Sequence, residues 1–170
     1  MDAKKRREQI FKRIESENGP ISATKLANFF NVSRQVIVGD VAILRASGHE
    51  IIATARGYIL QNQSLTNKYV NKIVCRHDAQ STIDELYLFV DLGAEVLNVI
   101  VDHEIYGELT GTLGLSTRHD VDEFIKRLNE TDLRLLSELT NGIHIHTISC
   151  RNKDHYQEVE LTLQEKGFLY

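Results

Sequence analysis

A chain of 170 residues with 42% hydrophobic content, one proline and two cysteines has material for one or two packed domains but not for a disulfide framework. No apolar run approaches the ~18 residues of a membrane span, and the opening MDAKKRREQIFKRIESENG lacks the apolar core of a signal peptide, so a cytoplasmic protein is expected. The net charge of −4 hides an asymmetry: residues 1–62 hold 10 Lys+Arg against 6 Asp+Glu, and residues 63–170 hold 10 against 18, so a polyanion is attracted by the front and repelled by the back.

A first helix is expected over residues 4–17, with Ile10, Phe11 and Ile14 on its apolar side. The KKRR run at 4–7 is either a solvated cluster or a phosphate contact. Asn18-Gly19-Pro20 breaks the chain. A second helix starts at Ser22, with Ile21 and Leu26 as a hydrophobic staple around that cap. The same signal recurs at once: Asn31 suits a left-handed turn, Ser33 is an N-cap, and Val32 and Ile37 form the staple. Ile37, Val41 and Leu44 then repeat at i, i+4, i+7 as a buried face. This is a helix-turn-helix, with Arg34, Gln35, Val38 and Arg45 left on the other faces of its second helix. Arg and Gln near a helix N-terminus suit guanine and adenine edges in the major groove. Gly39 costs that helix up to ~1 kcal/mol against Ala. Ile51-Ile52, a turn at 55–57 and Tyr58-Ile59-Leu60 read as a hairpin, which makes the unit a winged helix. Arg56 at its tip is a phosphate or minor-groove contact, or a solvated turn residue. The expected DNA-contacting set is Ser33, Arg34, Gln35, Val38, Arg45 and Arg56. Gln61 to Thr66 is the expected linker, so the domains are 1–62 and 66–170.

The second domain opens with a strand at Tyr69–Cys75. A helix follows, from Ser81 with Asp84 as its capping box to Leu92. A strand at Glu95–Val101 and a weaker one at Tyr106–Leu113 come next, then a helix at Asp120–Asn129 and a short helix at Leu133–Leu139. A strand at Gly142–Cys150 and a helix at Asp154–Lys166 complete the chain. The order β-α-β-β-α-β with an added helix predicts a ferredoxin-like or split βαβ layer, so the fold class is α/β (α+β).

His144 and His146 lie two apart in GIHIHTI, so on a strand both imidazoles face one way. Alone, that spacing fits a partly solvated strand face as well as a metal site. His77 ends the first strand of the domain and Glu85 lies early in the next helix, a turn that can bring both over one end of the sheet. Three imidazoles and a carboxylate suit a divalent transition metal, Zn, Ni or Fe. His103, after the strand at 96–101, is a further ligand, an orienting group or part of a ligand pocket. His49, His119 and His155 read as surface positions.

With SRQVIVGDVAILRASG in front and VCRHD, DELY, VDHEIYGEL and GIHIHTI behind, essentially the whole chain resembles the nicotinate-responsive transcriptional repressors that carry a C-terminal three-histidine (3H) domain. The resemblance implies repression of NAD-biosynthesis or niacin-uptake genes, operator DNA and nicotinic acid as partners, nicotinic acid acting as co-repressor, and no enzymatic activity. It implies metal ligands at His77, Glu85, His144 and His146; His103 and Tyr106 are the expected ligand-binding residues. A homodimer is expected to set the spacing of two winged helices on a two-fold operator. Two rival readings fit the same residues. One is a metal-dependent hydrolase of a small pyridine carboxylate or amide with an auxiliary helix-turn-helix. The other is an adaptor whose histidines are structural.

Overall fold

The computed structural model describes residues 2–61 and 68–170, and the chain divides into two compact units, Met1–Leu65 and Thr66–Tyr170. The expected linker lies outside the described residues except for Gln61. No helix among the described residues is long and apolar enough to cross a membrane.

In the first unit, α1 (Ala3–Ser16), α2 (Ala23–Phe30) and α3 (Arg34–Ala46) precede a hairpin of β1 (Ile51–Thr54) and β2 (Gly57–Leu60). Both serine caps form as expected: Ser22 Oγ accepts from the Lys25 amide at 3.1 Å and Ser33 Oγ from the Val36 amide at 3.3 Å. Asn31 takes the left-handed conformation at φ 52° and closes the turn between α2 and α3. Ile10, Ile14, Leu26 and Ile37 are fully buried with Val41 and Leu44 beside them, each apolar burial contributing ~1.5–3 kcal/mol. The hairpin is stitched to the residue before α2, where Tyr58 and Ile21 exchange backbone hydrogen bonds of 2.8 and 3.0 Å. A Cβ at Gly57, which has φ +134°, would lie 2.3 Å from the Ile21 carbonyl oxygen, so only glycine fits there.

The KKRR run divides in two. Lys4 and Lys5 are exposed, but Arg6 Nε meets Asp40 Oδ2 at 2.6 Å and Arg7 reaches Asp40 Oδ1 at 3.5 Å. Two of the four cations thus hold α1 to α3, a role the charge pattern alone does not reveal because Asp40 sits 33 and 34 residues away. Asp40→Ala is expected to lower the thermal unfolding midpoint, since it leaves the guanidinium groups without their counter-charge. Arg7→Ala, at the longer contact, lowers it less. Equal midpoints for the wild type and Asp40→Ala in a circular-dichroism melt would remove this tie from the account.

The second unit contains β3 (Tyr69–Arg76), α4 (Thr82–Asp91), β4 (Glu95–His103), β5 (Gly107–Leu115), α5 (Arg118–Asn129), β6 (Ile143–Cys150) and α6 (Lys153–Glu165). Its sheet has the order β3-β6-β4-β5 with every neighbouring pair antiparallel. β3 and β4 are therefore parallel, joined through α4, with β6 lodged between them. This is a split βαβ whose inserted strand is the last one rather than the hairpin partner of β4. Cys75 faces His144 and Ile73 faces His146 across β3 and β6.

Several boundaries differ from expectation. Asp78, not Ser81, starts the helical run, because its carboxylate accepts from the Ser81 amide at 2.9 Å and the Ser81 hydroxyl at 2.8 Å. Ser81 is thereby drawn into a 3-10 turn, Ala79–Ser81, and makes no cap of its own. A capping box that the sequence reading missed, Thr117 with Asp120, starts α5 two residues early. The short helix expected at 133–139 is a 3-10 turn, Leu136–Thr140, ended by Asn141 at φ 52°.

Candidate metal centre and nucleic-acid interface

The sheet order brings the four expected metal ligands together. Glu85, in the first turns of α4, sits over the middle strands, 1% exposed. Its carboxylate meets His77 Nε2 at 2.7 Å, His144 Nε2 at 3.1 Å and His146 Nε2 at 3.3 Å. His144 and His146 are each 3% exposed, so neither lies on a solvated strand face. Their rings meet edge-on at a centroid distance of 4.8 Å, as do those of His77 and His144.

The outer nitrogens are all fixed. His77 Nδ1 lies 2.7 Å from the Asp78 carbonyl, His144 Nδ1 2.8 Å from that of Gly142, and His146 Nδ1 2.7 Å from that of Asn98. A carbonyl only accepts, so each Nδ1 carries its hydrogen. Each inward Nε2 then holds either a lone pair or an added proton. Three lone pairs facing a buried carboxylate repel it unless a cation or protons stand between. Imidazoles whose second nitrogen donates to a carbonyl are how metal sites orient their histidines. The donor set fits a divalent transition metal by chemistry and by convergence. Burial alone raises the Glu85 pKa, but the His146 charge and the hydrogen bonds of His144, His146 and His77 pull it well below the usual carboxylate value. Burial lowers the His77 pKa, and the hydrogen bond and charge of Glu85, with Asp78, outweigh it, so the net direction is up.

The supporting parts were not visible as motifs. A β-bulge at Val96/Asn98 shifts the register of β4, and the Asn98 carbonyl there serves His146 while its side chain accepts from the Thr147 amide at 3.0 Å. Gly142 has φ +84°, and a Cβ on it would fall 2.1 Å from the His77 carbonyl oxygen. The same residue supplies the carbonyl that orients His144. Gly142→Ala is therefore expected to displace two ligands at once and to weaken metal binding by at least ~10- to 100-fold, the range for losing an orienting partner. Metal titration against a competing chelator checks this, and unchanged affinity would show that the turn yields without cost. The C-terminal residues add a short edge to β3, with the Arg76 amide donating to the Phe168 carbonyl at 2.8 Å, and Phe168 packs edge-on against His77 at 5.6 Å.

A cavity of about 30 Å³ adjoins the histidines, bounded on its far side by Leu86, Val99, Leu113, Phe124 and Leu136. Thr82 also lines it, and its buried hydroxyl has no hydrogen-bond partner among the described residues. The structure does not place His103 and Tyr106 there. Both belong to the β4–β5 turn, where His103 Nδ1 accepts from the Ile105 and Tyr106 amides at 3.2 and 3.3 Å and the Tyr106 ring is exposed. Of the three histidines expected at the surface, only His119 is exposed. His49 is half-buried against Phe11, and His155 is buried with its Nε2 2.7 Å from the Leu92 carbonyl. Helix ends close onto both, since each bonds a carbonyl at the last turn of α3 or α4, which explains why their polar flanking sequence misled.

On α3, Arg34, Gln35 and Arg45 are exposed, and so is Ser33, whose hydroxyl accepts from the helix and keeps a proton to donate outward. Val38 does not lie on an open face of α3: it is half-buried and packs against the core of the first unit. Gly39 has nothing within 4 Å of where a Cβ would stand, so no part of the protein requires it. It shares the open side of α3 with Gln35, Val36 and Ala42. Arg56 is half-exposed in the hairpin turn, its amide donating to Thr54 Oγ1 at 3.1 Å.

Comparison with known proteins finds two domain families in the chain. The HTH domain family matches residues 6–59 and the 3H domain family matches residues 70–170. The chain is 36% identical over 166 residues to the transcription repressor NadR of Bacillus subtilis (strain 168), covering 96% of this chain and 92% of that protein. It is 34% identical over 165 residues to the probable transcription repressor NiaR of Thermotoga maritima, covering 96% and 93%.

Proposed function

This chain belongs to the 3H-domain transcription repressors, and from that premise we propose that it binds operator DNA under the control of nicotinic acid, repressing genes of NAD biosynthesis or niacin uptake. Its relatives are repressors rather than enzymes, which sets the hydrolase reading aside. The observation that carries the proposal is the coexistence of an exposed Ser33-capped helix with Arg34 and Gln35 at its start and a buried three-histidine centre beside a cavity.

His77, Glu85, His144 and His146 hold a divalent metal, Zn, Ni or Fe, which supplies a positive charge where an acidic domain otherwise has little to offer an anion. A pyridine carboxylate then places its charged group toward the metal and its ring among Leu86, Val99, Leu113 and Phe124. The unpartnered Thr82 hydroxyl is a donor in reach of such a ligand. At about 30 Å³ the cavity has room for a water or two, so the ring enters only as the Leu136–Thr140 turn moves outward. That movement is what couples ligand to the rest of the molecule. A homodimer presenting two winged helices to a two-fold site in the cytoplasm completes the reading.

Arg34 and Gln35 are the base readers of this proposal. Arg34→Ala is expected to cost ~1–3 kcal/mol of operator binding and to relax discrimination at one base pair. Genomic fragments captured with and without added pyridine carboxylates, followed by gel-shift titration of the captured sequence, test the whole. Capture of no specific fragment under either condition would overturn the proposal, and an unchanged titration for Arg34→Ala would remove Arg34 alone.

A further inference from the structure

The donor atoms around Glu85 include one that the histidine pattern does not announce. Cys75 lies directly across from His144 in the β3–β6 register, and opposed residues of an antiparallel pair share a face. Its side chain is fully buried, and its sulfur lies with a Glu85 carboxylate oxygen and a His144 ring nitrogen in a group whose members are all within 4.8 Å of one another. Two donors on one ion, each 2.0–2.3 Å from it, stand at most about 4.6 Å apart. Three donors spread around one ion stand closer, about 4 Å apart, so the thiol comes within about an ångström of sharing an ion with Glu85 and His144 as the side chains stand. A buried cysteine is more often a small apolar filler, but a filler is not set against a carboxylate and an imidazole.

We infer that Cys75 is a further ligand of the ion held by His77, Glu85, His144 and His146, so that a thiolate joins the imidazoles and the carboxylate. The inference rests on the metal reading above and adds a donor of different character to it. Ligation replaces the S–H bond by a sulfur–metal bond, the proton leaves to solvent, and no electron changes hands. A soft sulfur donor turns the site away from Mg²⁺ and Ca²⁺ and toward Zn²⁺, Fe²⁺ or Ni²⁺. Without a cation, burial first and the Glu85 carboxylate second keep the thiol protonated, which leaves it inert.

Cobalt reports this directly. The full-length chain, stripped with a chelator and reloaded with Co²⁺, should show the ligand-field bands of bound cobalt together with an intense near-ultraviolet thiolate-to-cobalt band. The band should persist in Cys150→Ala, because Cys150 faces Tyr69, six residues along β6 from His144 and so about 20 Å away. It should vanish in Cys75→Ser while one cobalt per chain still binds, with Zn²⁺ affinity lowered by roughly 10-fold or more. X-ray absorption of the zinc-loaded wild type, which needs no variant, should find sulfur at about 2.3 Å. Stoichiometric cobalt with only nitrogen and oxygen neighbours, or a charge-transfer band surviving in Cys75→Ser, would overturn the inference and leave the four-ligand centre standing. A wild type that takes up no metal would overturn both.

Discussion

A chain carrying both His144→Ala and His146→Ala is expected to lose stoichiometric divalent metal while its helix-turn-helix unit stays folded. Two of the three imidazoles come from one strand, and each is oriented by a separate carbonyl, so their loss removes ligands rather than bending them. The drop should exceed the roughly 10- to 100-fold that follows loss of an orienting partner. Metal analysis after gel filtration, beside circular dichroism of the helical signal, reads both parts of the claim. Metal retained at one ion per chain would end the assignment. Acid should mimic the variant. The His77 pKa is raised in the metal-free site, so a proton competes there above the ordinary imidazole value of 6.5, and metal affinity falls as pH drops through that raised value. The sign reverses for the metal-free protein: the His77 contribution to stability is fully present below 6.5 and is lost as pH rises through the raised value. Glu85, held well below 4.5, contributes stability above that value and loses it on further acidification.

The second large effect is on operator affinity. Nicotinic acid is expected to tighten DNA binding roughly 5- to 150-fold, the usual range of a 1–3 kcal/mol coupling. A ligand shifts DNA affinity only through its differential affinity for the DNA-competent state. On the proposed reading that difference would lie in the Leu136–Thr140 turn, two of whose residues, Leu136 and Ser137, line the cavity. Nicotinamide should act far less, because its amide brings no negative charge to the metal. Reciprocity requires operator DNA to tighten nicotinate binding by the same factor. Calorimetry of nicotinate with and without operator, beside a gel shift with and without nicotinate, measures both sides. Identical nicotinate affinity in the two titrations would rule out regulation of this kind even if both partners bind. Thr82→Val should weaken nicotinate while leaving metal content unchanged, and the reverse result would move the ligand elsewhere.

The helix-turn-helix was legible because its signals are local. Ser22, Asn31 and Ser33 act within three or four residues, and the structure uses each of them as the sequence suggests. The grouping of His77, Glu85, His144 and His146, the proposed metal ligands, was legible for a different reason: few side chains hold a metal, and strand periodicity aligns His144 with His146. What the sequence hid depends on register. Asn98 and Gly142 contribute a carbonyl each, and a carbonyl has no letter in the sequence. Cys75 has the right spacing from His77 to be noticed, but its place opposite His144 exists only once β6 is seen to pair with β3 rather than with β5. Val38 stands half-buried at the edge of the Ile37, Val41 and Leu44 face, and periodicity alone does not tell such an edge from the open side. His103 lies in the β4–β5 turn, where its Nδ1 accepts from the Ile105 and Tyr106 amides, a placement that depends on the hairpin and not on the residue's identity.

The place of β6 between β3 and β4 has a consequence for the order of events in folding. Only the His77–Glu85 contact is local, spanning 8 residues, while the contacts of Glu85 with His144 and His146 span 59 and 61. An ion meeting the unfolded chain would find at most the local fragment of Cys75, His77 and Glu85, because the remaining imidazoles arrive only after a long loop has closed and the last strand has slipped between two others. Metal should therefore leave the refolding rate nearly unchanged and slow the unfolding rate, since its stabilisation appears only after the barrier has been crossed. On the proposed metal reading the ion would lock a finished sheet, and its removal should shorten the lifetime of the folded domain more than it hinders the making of it.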